Sequence, residues 1–192
     1  MMRIITGSAK GKKLVSLEGD ATRPTSERIK EAVFSSIQFD VEGRRVLDLF
    51  AGSGQMGLEA LSRGAERATF IDLSREAMEV VKQNARITGF FHQSHFLVSD
   101  WRNYIRKASG REQYDLVFVD PPYAMECCAD AAKYLAEKEL IIPGAIVVLE
   151  SGEEEIDLAD PRLSGYRVIK STHYGKKTFV NILFYEGREA VE

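Results

Sequence analysis

From Arg45 onward the chain repeats one pattern: a short apolar run, a turn, and then a segment with apolar residues at helical spacing. The apolar runs are continuous, as in strands that are buried on both faces of a sheet. Strands that alternate with helices at this spacing favour a doubly wound α/β fold. We predict strands at 46–50, 68–73, 95–98, 116–119 and 145–149, and helices that include 75–88, 101–108 and 126–138.

The C-terminal part of the chain departs from this alternation. Two β-type runs, 166–171 and 177–185, are joined through Tyr174 and Gly175 without a helix between them. The sheet is therefore expected to close with an antiparallel hairpin. With 44% hydrophobic and 29% charged residues in 192 positions, the composition excludes a disordered chain and is typical of one main globular domain.

The first 40 residues are predicted to form an extension ahead of a main domain at 41–192. Two β-type runs, 3–6 and 13–17, flank a turn that contains Gly7 and Gly11, which favours a hairpin. A helix follows at 26–38, with Ser26 as its N-cap. Two strands are too few to be stable alone, so we expect the hairpin to dock on another element.

Charge is distributed unevenly along the chain. The formal net charge is −3, but residues 1–30 hold seven basic side chains against three acidic ones, which leaves +4 there and −7 in the remainder. A basic segment on an acidic body indicates a polyanionic partner, although a solvated chain end gives the same pattern. The candidate contacts with such a polyanion are Arg3, Lys10, Lys12, Lys13, Arg23, Thr25, Arg28 and Lys30.

The residue content disfavours several classes of protein. Cys127 and Cys128 are the only cysteines, and adjacent cysteines indicate reduced thiols in a cytoplasmic protein rather than a disulfide framework. The longest apolar stretch is too short to span a membrane, and the first residues lack the apolar core of a signal peptide. The three histidines lack the spacing of metal ligands, so we expect no metal. We also expect a monomer without membrane contact.

The motif Asp48-Leu49-Phe50-Ala51-Gly52-Ser53-Gly54 ends the first strand of the alternating region, where open α/β sheets bind their ligands. Glycines let the backbone turn tightly and approach a ligand closely. Asp72 ends the next strand, 20 residues after Gly52, where a carboxylate can bind ribose hydroxyls. The motif therefore predicts a site for a cofactor that contains adenosine.

The identity of that cofactor depends on the acid in front of the turn. The string Gly52-x-Gly54-x-x-Gly57 also matches the dinucleotide fingerprint, which leaves an NAD-dependent oxidoreductase as an alternative. Asp48, however, would repel a pyrophosphate and attract the ammonium group of S-adenosylmethionine. Asp100, after the third strand, can accept a hydrogen bond from an adenine amine or cap the helix that begins at Trp101.

A second motif, Asp120-Pro121-Pro122-Tyr123, follows the fourth strand. Neither proline has an N–H group, and each pushes the residue before it out of the helical region. The result is a stiff segment of hydrogen-bond acceptors, which fits a donor such as the exocyclic amine of a nucleobase. The Tyr123 ring can stack on that base, although two prolines can also simply stiffen a turn.

This second motif resembles the [DNS]-P-P-[YFW] signature of S-adenosylmethionine-dependent amino-methyltransferases. Together with the glycine motif and segments 2–7, 23–31, 57–65 and 174–175, it resembles the RsmD family of bacterial 16S rRNA (guanine-N2)-methyltransferases over nearly the whole chain. The resemblance implies a Rossmann-like class I methyltransferase fold with helices on both faces. Its seven-stranded mixed sheet would have the order 3-2-1-4-5-7-6, with strand 7 antiparallel.

The resemblance also implies roles for individual residues. Asp120, Pro121, Pro122 and Tyr123 would hold a guanine of 16S rRNA, in the small ribosomal subunit or its assembly intermediate, while its N2 amine is methylated. Pocket chemistry alone does not separate guanine from adenine, so an adenine-N6 enzyme acting on DNA or another RNA stays as an alternative. The cofactor S-adenosylmethionine would be bound by Asp48, Phe50, Ala51, Gly52, Ser53, Gly54, Asp72, Leu73, Asp100 and Trp101.

Overall fold

The computed structural model describes residues 2–17, 24–122, 127–152, 157–175 and 178–187, except for the side chains of 24–26. The strands found there are β1 Arg45–Asp48, β2 Arg67–Asp72, β3 Ser94–Val98, β4 Tyr114–Val119, β5 Ile141–Gly152, β6 Tyr166–Tyr174 and β7 Thr178–Tyr185. They form a seven-stranded sheet in the order β3-β2-β1-β4-β5-β7-β6, which confirms the expected order. The chain divides into two compact units, Met1–Asp100 and Trp101–Glu192.

The helices of the described residues alternate with the strands as predicted, although some ends differ. The α3 helix is capped as expected, because Ser74 Oγ accepts a hydrogen bond from the Ala77 N–H at 3.2 Å. The first helix begins at Pro24, two residues before the predicted Ser26 cap, and proline is well suited to the first helical position. The α-helices are α1 Pro24–Ser36, α2 Gln55–Ser62, α3 Arg75–Thr88, α4 Trp101–Ala108 and α5 Cys128–Glu137.

In the first unit, β1, β2 and β3 pair in parallel, with Asp48 opposite Phe70 and Asp72 opposite Val98. The core strands β1 and β2 are almost entirely buried, as their apolar runs predict. The prediction of continuous burial is wrong for β3, where Leu97 and Val98 are exposed by 41% and 46%. The physical reason is that β3 lies at an edge of the sheet.

The segment 2–17, called the arm below, forms the predicted antiparallel hairpin, but with fewer paired residues than expected. The Ile4 N–H donates to the Lys12 carbonyl at 2.9 Å, and a single bridge joins Arg3 to Lys13. The arm docks on α2, where the Glu59 carboxylate accepts from the N–H groups of Ile5 and Thr6 at 2.8 and 3.0 Å. The arm therefore lies in the same compact unit as β1–β3, and the domain boundary at residue 40 stays a prediction.

In the second unit, β4 and β5 pair in parallel, with Val119 opposite Leu149. The β7 strand runs antiparallel to both β5 and β6, as the resemblance implies. The edge strand β6 has no buried residue, so the expectation of continuous burial does not extend to it. None of the described helices is both long and apolar enough to cross a membrane.

Candidate active site

The glycine loop, residues 49–54, connects β1 to α2 in a conformation that requires glycine. Gly52 and Gly54 have φ angles of +53° and +79°, in the left-handed region that other residues rarely adopt. The Ala51 N–H donates to the Ile71 carbonyl at 2.8 Å, which fixes the loop to the end of β2. The turn predicted from the glycine motif is thus present at the carboxyl end of β1.

The Asp72 carboxylate joins the glycine loop to the turn that follows β2. Its Oδ2 accepts from the Gly52 N–H at 2.9 Å, and its Oδ1 accepts from the Ser74 N–H at 2.8 Å. Each carboxylate oxygen can accept more than one hydrogen bond, so Asp72 keeps acceptor capacity for a ligand. The two positions that the sequence pairs, Gly52 and Asp72, therefore meet in the structure.

The Asp48 carboxylate lies beneath the start of α2 and is only 3% exposed. Its Oδ2 accepts from the Gly57 N–H at 3.0 Å, where the positive end of the helix dipole favours an anion. A Cβ on Gly57 would lie 2.4 Å from Cε1 of Phe70, so the third glycine of the motif serves the packing of α2 against β2. This hydrogen bond orients the carboxylate that is predicted to attract the ammonium group of the cofactor.

The remaining candidates for cofactor binding differ in exposure. Leu73 is 72% exposed beside Asp72, whereas Ser53 is buried, and its Oγ donates to Met2 Sδ at 3.1 Å. Phe50, Gly52 and Asp100 are half-buried. Trp101, in the second unit, is buried with its ring edge-on to Tyr134 at a centroid distance of 6.0 Å. Leu73 therefore offers apolar surface to a ligand, while the Trp101 ring packs in the core.

The second motif follows β4 in the second unit. Asp120 and Pro122 are exposed and Pro121 is buried, while Tyr123 lies outside the described residues. Near Asp120, the Cys128 Sγ donates to the Glu150 carbonyl at 3.3 Å. Burial raises the pKa of the Cys128 thiol, and the nearby Cys127, Asp120 and Glu150 raise it further. The thiol is therefore protonated, as expected for a reduced structural cysteine.

Most of the described basic candidates of the N-terminal region are exposed. Lys10, Lys13 and Arg28 face solvent, and Arg3 pairs with Glu27 at 3.1 Å. Arg23 lies outside the described residues, as does the side chain of Thr25. The exposed lysines of the arm are thus available to a polyanion.

Comparison with known proteins identifies the family. The family described as "Conserved hypothetical protein 95" matches residues 2–183. The chain belongs to this family, the RsmD family.

Relatives of this RsmD-family protein are named as rRNA methyltransferases. "Putative rRNA methyltransferase YlbH" of Bacillus subtilis is 34% identical over 160 residues, which cover 83% of this chain and 86% of the relative. "Ribosomal RNA small subunit methyltransferase D" of Haemophilus influenzae is 30% identical over 80% of each chain. The solved structure of "Putative methyltransferase yhhF" from Escherichia coli has a TM-score of 0.83 at 27% identity, and covers 97% of this chain and 99% of its own.

One residue assignment for the RsmD-family chain needs correction. Lys30 is only 1% exposed, its Nζ donates to the Arg3 carbonyl at 2.7 Å, and it lies 3.7 Å from Oε2 of Glu59. Burial lowers the pKa of Lys30, and the neighbouring carboxylates of Glu59 and Glu27 oppose that effect. The prediction that Lys30 contacts RNA is wrong, because its ammonium group is enclosed by protein.

Two residues of the RsmD-family chain were not predicted from the sequence. Glu150 ends the apolar run of β5, and burial raises the pKa of its carboxyl to about 7. Asn84 is a fully buried polar residue on α3 that contacts the glycine loop. An acid that directly follows an apolar strand run is a signal that could have identified Glu150, whereas nothing local in the sequence marks Asn84.

Proposed function

We propose that this protein transfers a methyl group from S-adenosylmethionine to the exocyclic N2 amine of a guanine in 16S rRNA. The observation that carries the proposal is the hydrogen bond of 2.9 Å from the Gly52 N–H to the Asp72 carboxylate. It sets a carboxylate with remaining acceptor capacity beside a glycine turn. The names of the relatives support rRNA of the small subunit as the substrate class. An rRNA substrate implies activity in the cytoplasm.

The residues around the glycine loop fit S-adenosylmethionine. The remaining lone pairs of Asp72 suit the two ribose hydroxyls, and the exposed Leu73 side chain beside it suits the face of a purine. The nearby Asp48 carboxylate favours a ligand with positive charge and opposes a pyrophosphate. When bound, the cofactor supplies a methyl group on a positively charged sulfur. The carboxylates of Asp48 and Asp72 therefore favour S-adenosylmethionine over NAD.

The residues after β4 suit the activation of an amine. The lone pair of guanine N2 is delocalised into the ring, which makes this nitrogen a poor nucleophile. The Asp120 carboxylate and the Pro121 carbonyl would accept hydrogen bonds from the two N–H groups of guanine N2 and so favour a pyramidal nitrogen. Asp120 also stabilises the positive charge that develops on the nitrogen, and its carboxylate can accept the proton that the methylated amine then loses. To reach these acceptors, the target base has to leave its stack.

The experiment that tests the proposed function compares rRNA from cells with and without this gene by mass mapping of RNA fragments. We expect one guanine of 16S rRNA to lose a methyl group on N2 when the gene is absent. Loss of the mark from an adenine would favour the adenine-N6 alternative. Identical methylation in both strains would contradict an rRNA substrate.

A variant of the purified protein tests the role of Asp120. Asp120→Ala should lower turnover by about two orders of magnitude or more, because an electrostatic partner of the reacting atom is removed. S-adenosylhomocysteine binding, measured by calorimetry, should change little. Asp120→Asn serves as the matched variant, since it keeps one acceptor oxygen and loses the charge. Loss of cofactor affinity in step with activity would contradict this role.

A further inference from the structure

The buried carboxamide of Asn84, on α3, contacts both the arm and the glycine loop. Its Oδ1 accepts from the Val15 N–H at 2.7 Å. Its Nδ2 donates to the carbonyl oxygens of Val15 and Ser53, each at 2.9 Å. Asn84 has no exposed surface, and these three bonds use both N–H groups and the oxygen of the carboxamide. One side chain therefore fixes the backbone of both segments.

The same face of α3 packs directly on the glycine loop. Val81 lies three residues before Asn84, so the two side chains are neighbours on the helix surface. A Cβ on Gly54 would lie 2.9 Å from Cγ1 of Val81, which shows how closely the loop and the helix approach. Ser53 is also tied to the arm by the hydrogen bond from its Oγ to Met2 Sδ. The position of the loop thus depends on α3 and on the arm.

The arm contacts α3 at a second point, near the end of the helix. The Lys12 Nζ donates to the carbonyl oxygens of Ile87 and Thr88 at 2.9 and 3.3 Å. These carbonyls belong to the C-terminal turn of α3, where the helix dipole favours a cation. A shift of the arm along α3 would break bonds to a helix that also positions Ser53.

We propose that Asn84 is a positioning residue that couples nucleic-acid binding at the arm to cofactor binding at the glycine loop. The proposal rests on the proposed function, because it places RNA phosphates at the exposed lysines of the arm and S-adenosylmethionine at the loop. Because Asn84 bonds to the backbone of both segments, a polyanion that stabilises the docked arm also stabilises the loop conformation that binds the cofactor. By linkage, the cofactor then raises the affinity for RNA by the same factor.

The test measures the affinity of the full chain for S-adenosylhomocysteine by equilibrium dialysis, with and without saturating 16S rRNA transcribed in vitro. For the wild type we expect the RNA to raise this affinity by about fivefold or more. Asn84→Ala should bring the ratio of the two affinities close to one. Asn84→Asp should do the same, because it keeps an acceptor for the Val15 N–H but loses the donors to Val15 and Ser53.

Two further measurements separate coupling from a general effect on the fold. Gln83→Ala, at the exposed neighbouring position on α3, should keep the wild-type ratio. Hydrogen exchange of the wild type needs no variant: S-adenosylhomocysteine alone should slow the exchange of amides in residues 12–16, including Val15. This second measurement tests the coupling between the glycine loop and the arm even if the Asn84 variants fail to fold.

The outcomes distinguish this inference from the proposed function. If the wild type binds both ligands with a ratio of one and unchanged exchange in the arm, the coupling is overturned and the proposed function stands. If Asn84→Ala weakens both ligands but keeps the wild-type ratio, Asn84 has only a structural role and the inference is overturned. If the wild type binds no S-adenosylhomocysteine, both the inference and the proposed function fail.

Discussion

Lys30 and Glu59 form an ion pair inside the first unit, with 3.7 Å between Nζ and Oε2, and their side chains are exposed by only 1% and 0%. The Glu59 carboxylate also accepts from Arg63 Nε at 2.9 Å and from the N–H groups of Ile5 and Thr6. Breaking a buried ion pair by removing one partner is costly, because the other charge is left uncompensated. Glu59 therefore stabilises the docked position of the arm.

We predict that Glu59→Ala lowers the free energy of unfolding by about 3–5 kcal/mol. Removal of the carboxylate leaves the buried Lys30 ammonium without its counter-charge and two backbone N–H groups without their acceptor. Urea denaturation measures the change, with Glu66→Ala at an exposed position as the control. Equal effects of the two substitutions would contradict the proposed role of the buried pair.

The Asp72 carboxylate is predicted to contribute directly to cofactor affinity. Asp72→Ala should weaken S-adenosylhomocysteine binding at least tenfold, since hydrogen bonds to a charged group contribute about 1.5–3 kcal/mol each. Calorimetry measures the dissociation constant, and Glu76→Ala on the first turn of α3 removes one exposed acid as a control. An unchanged dissociation constant for Asp72→Ala would remove this residue from the site.

The Glu150 carboxyl is expected to make the free energy of unfolding depend on pH. Burial raises its pKa from 4.5 to about 7, so between these values the folded protein keeps a proton that the unfolded chain releases. Stability from this group is therefore lost as the pH rises through the window, by about 3 kcal/mol at most. Glu150→Gln should gain stability relative to the wild type between pH 5 and pH 8, as measured by urea denaturation. The exposed control Glu139→Gln should show no such trend, and a flat difference for Glu150→Gln would refute the prediction.

The sequence predicts contacts between strand ends better than contacts between helices and the arm. Gly52 and Asp72 could be paired because they follow or end neighbouring parallel strands, which fixes their proximity through topology. Lys30 and Glu59 are 29 positions apart on two helices. Nothing in the sequence around either residue distinguishes it from a charge that is exposed to solvent. Their burial depends on how the arm docks, and no local pattern encodes that docking.

Edge strands show a second limit. Parts of the sequences that form β3 and β6 are as apolar as the core strands. Local hydrophobicity therefore does not reveal that Leu97, Val98 and Ile169 are exposed. What distinguishes them is their position at the two ends of the sheet, which follows from the strand order. That order is implied by the resemblance to the RsmD family and not by the periodicity of apolar residues.

The last prediction concerns the lysines of the arm that face solvent. Lys10 and Lys13 are exposed, whereas Lys12 also donates to the carbonyls at the end of α3. Replacing Lys10 and Lys13 with Ala should raise the apparent KM for small ribosomal subunits. It should also reduce the slope of log affinity against log salt by about one for each lysine that binds a phosphate in the wild type.

The matched control removes two exposed basic residues from a different element, with Arg106→Ala and Lys107→Ala on α4. This control should leave the KM and the salt slope close to the wild-type values, because its charges lie outside the basic N-terminal region. Affinity for S-adenosylhomocysteine without RNA should be unchanged in both double variants. A wild-type KM at every salt concentration for the Lys10 and Lys13 variant would contradict RNA binding at these lysines. Lys176 and Lys177, which lie outside the described residues, would then be the next residues to replace.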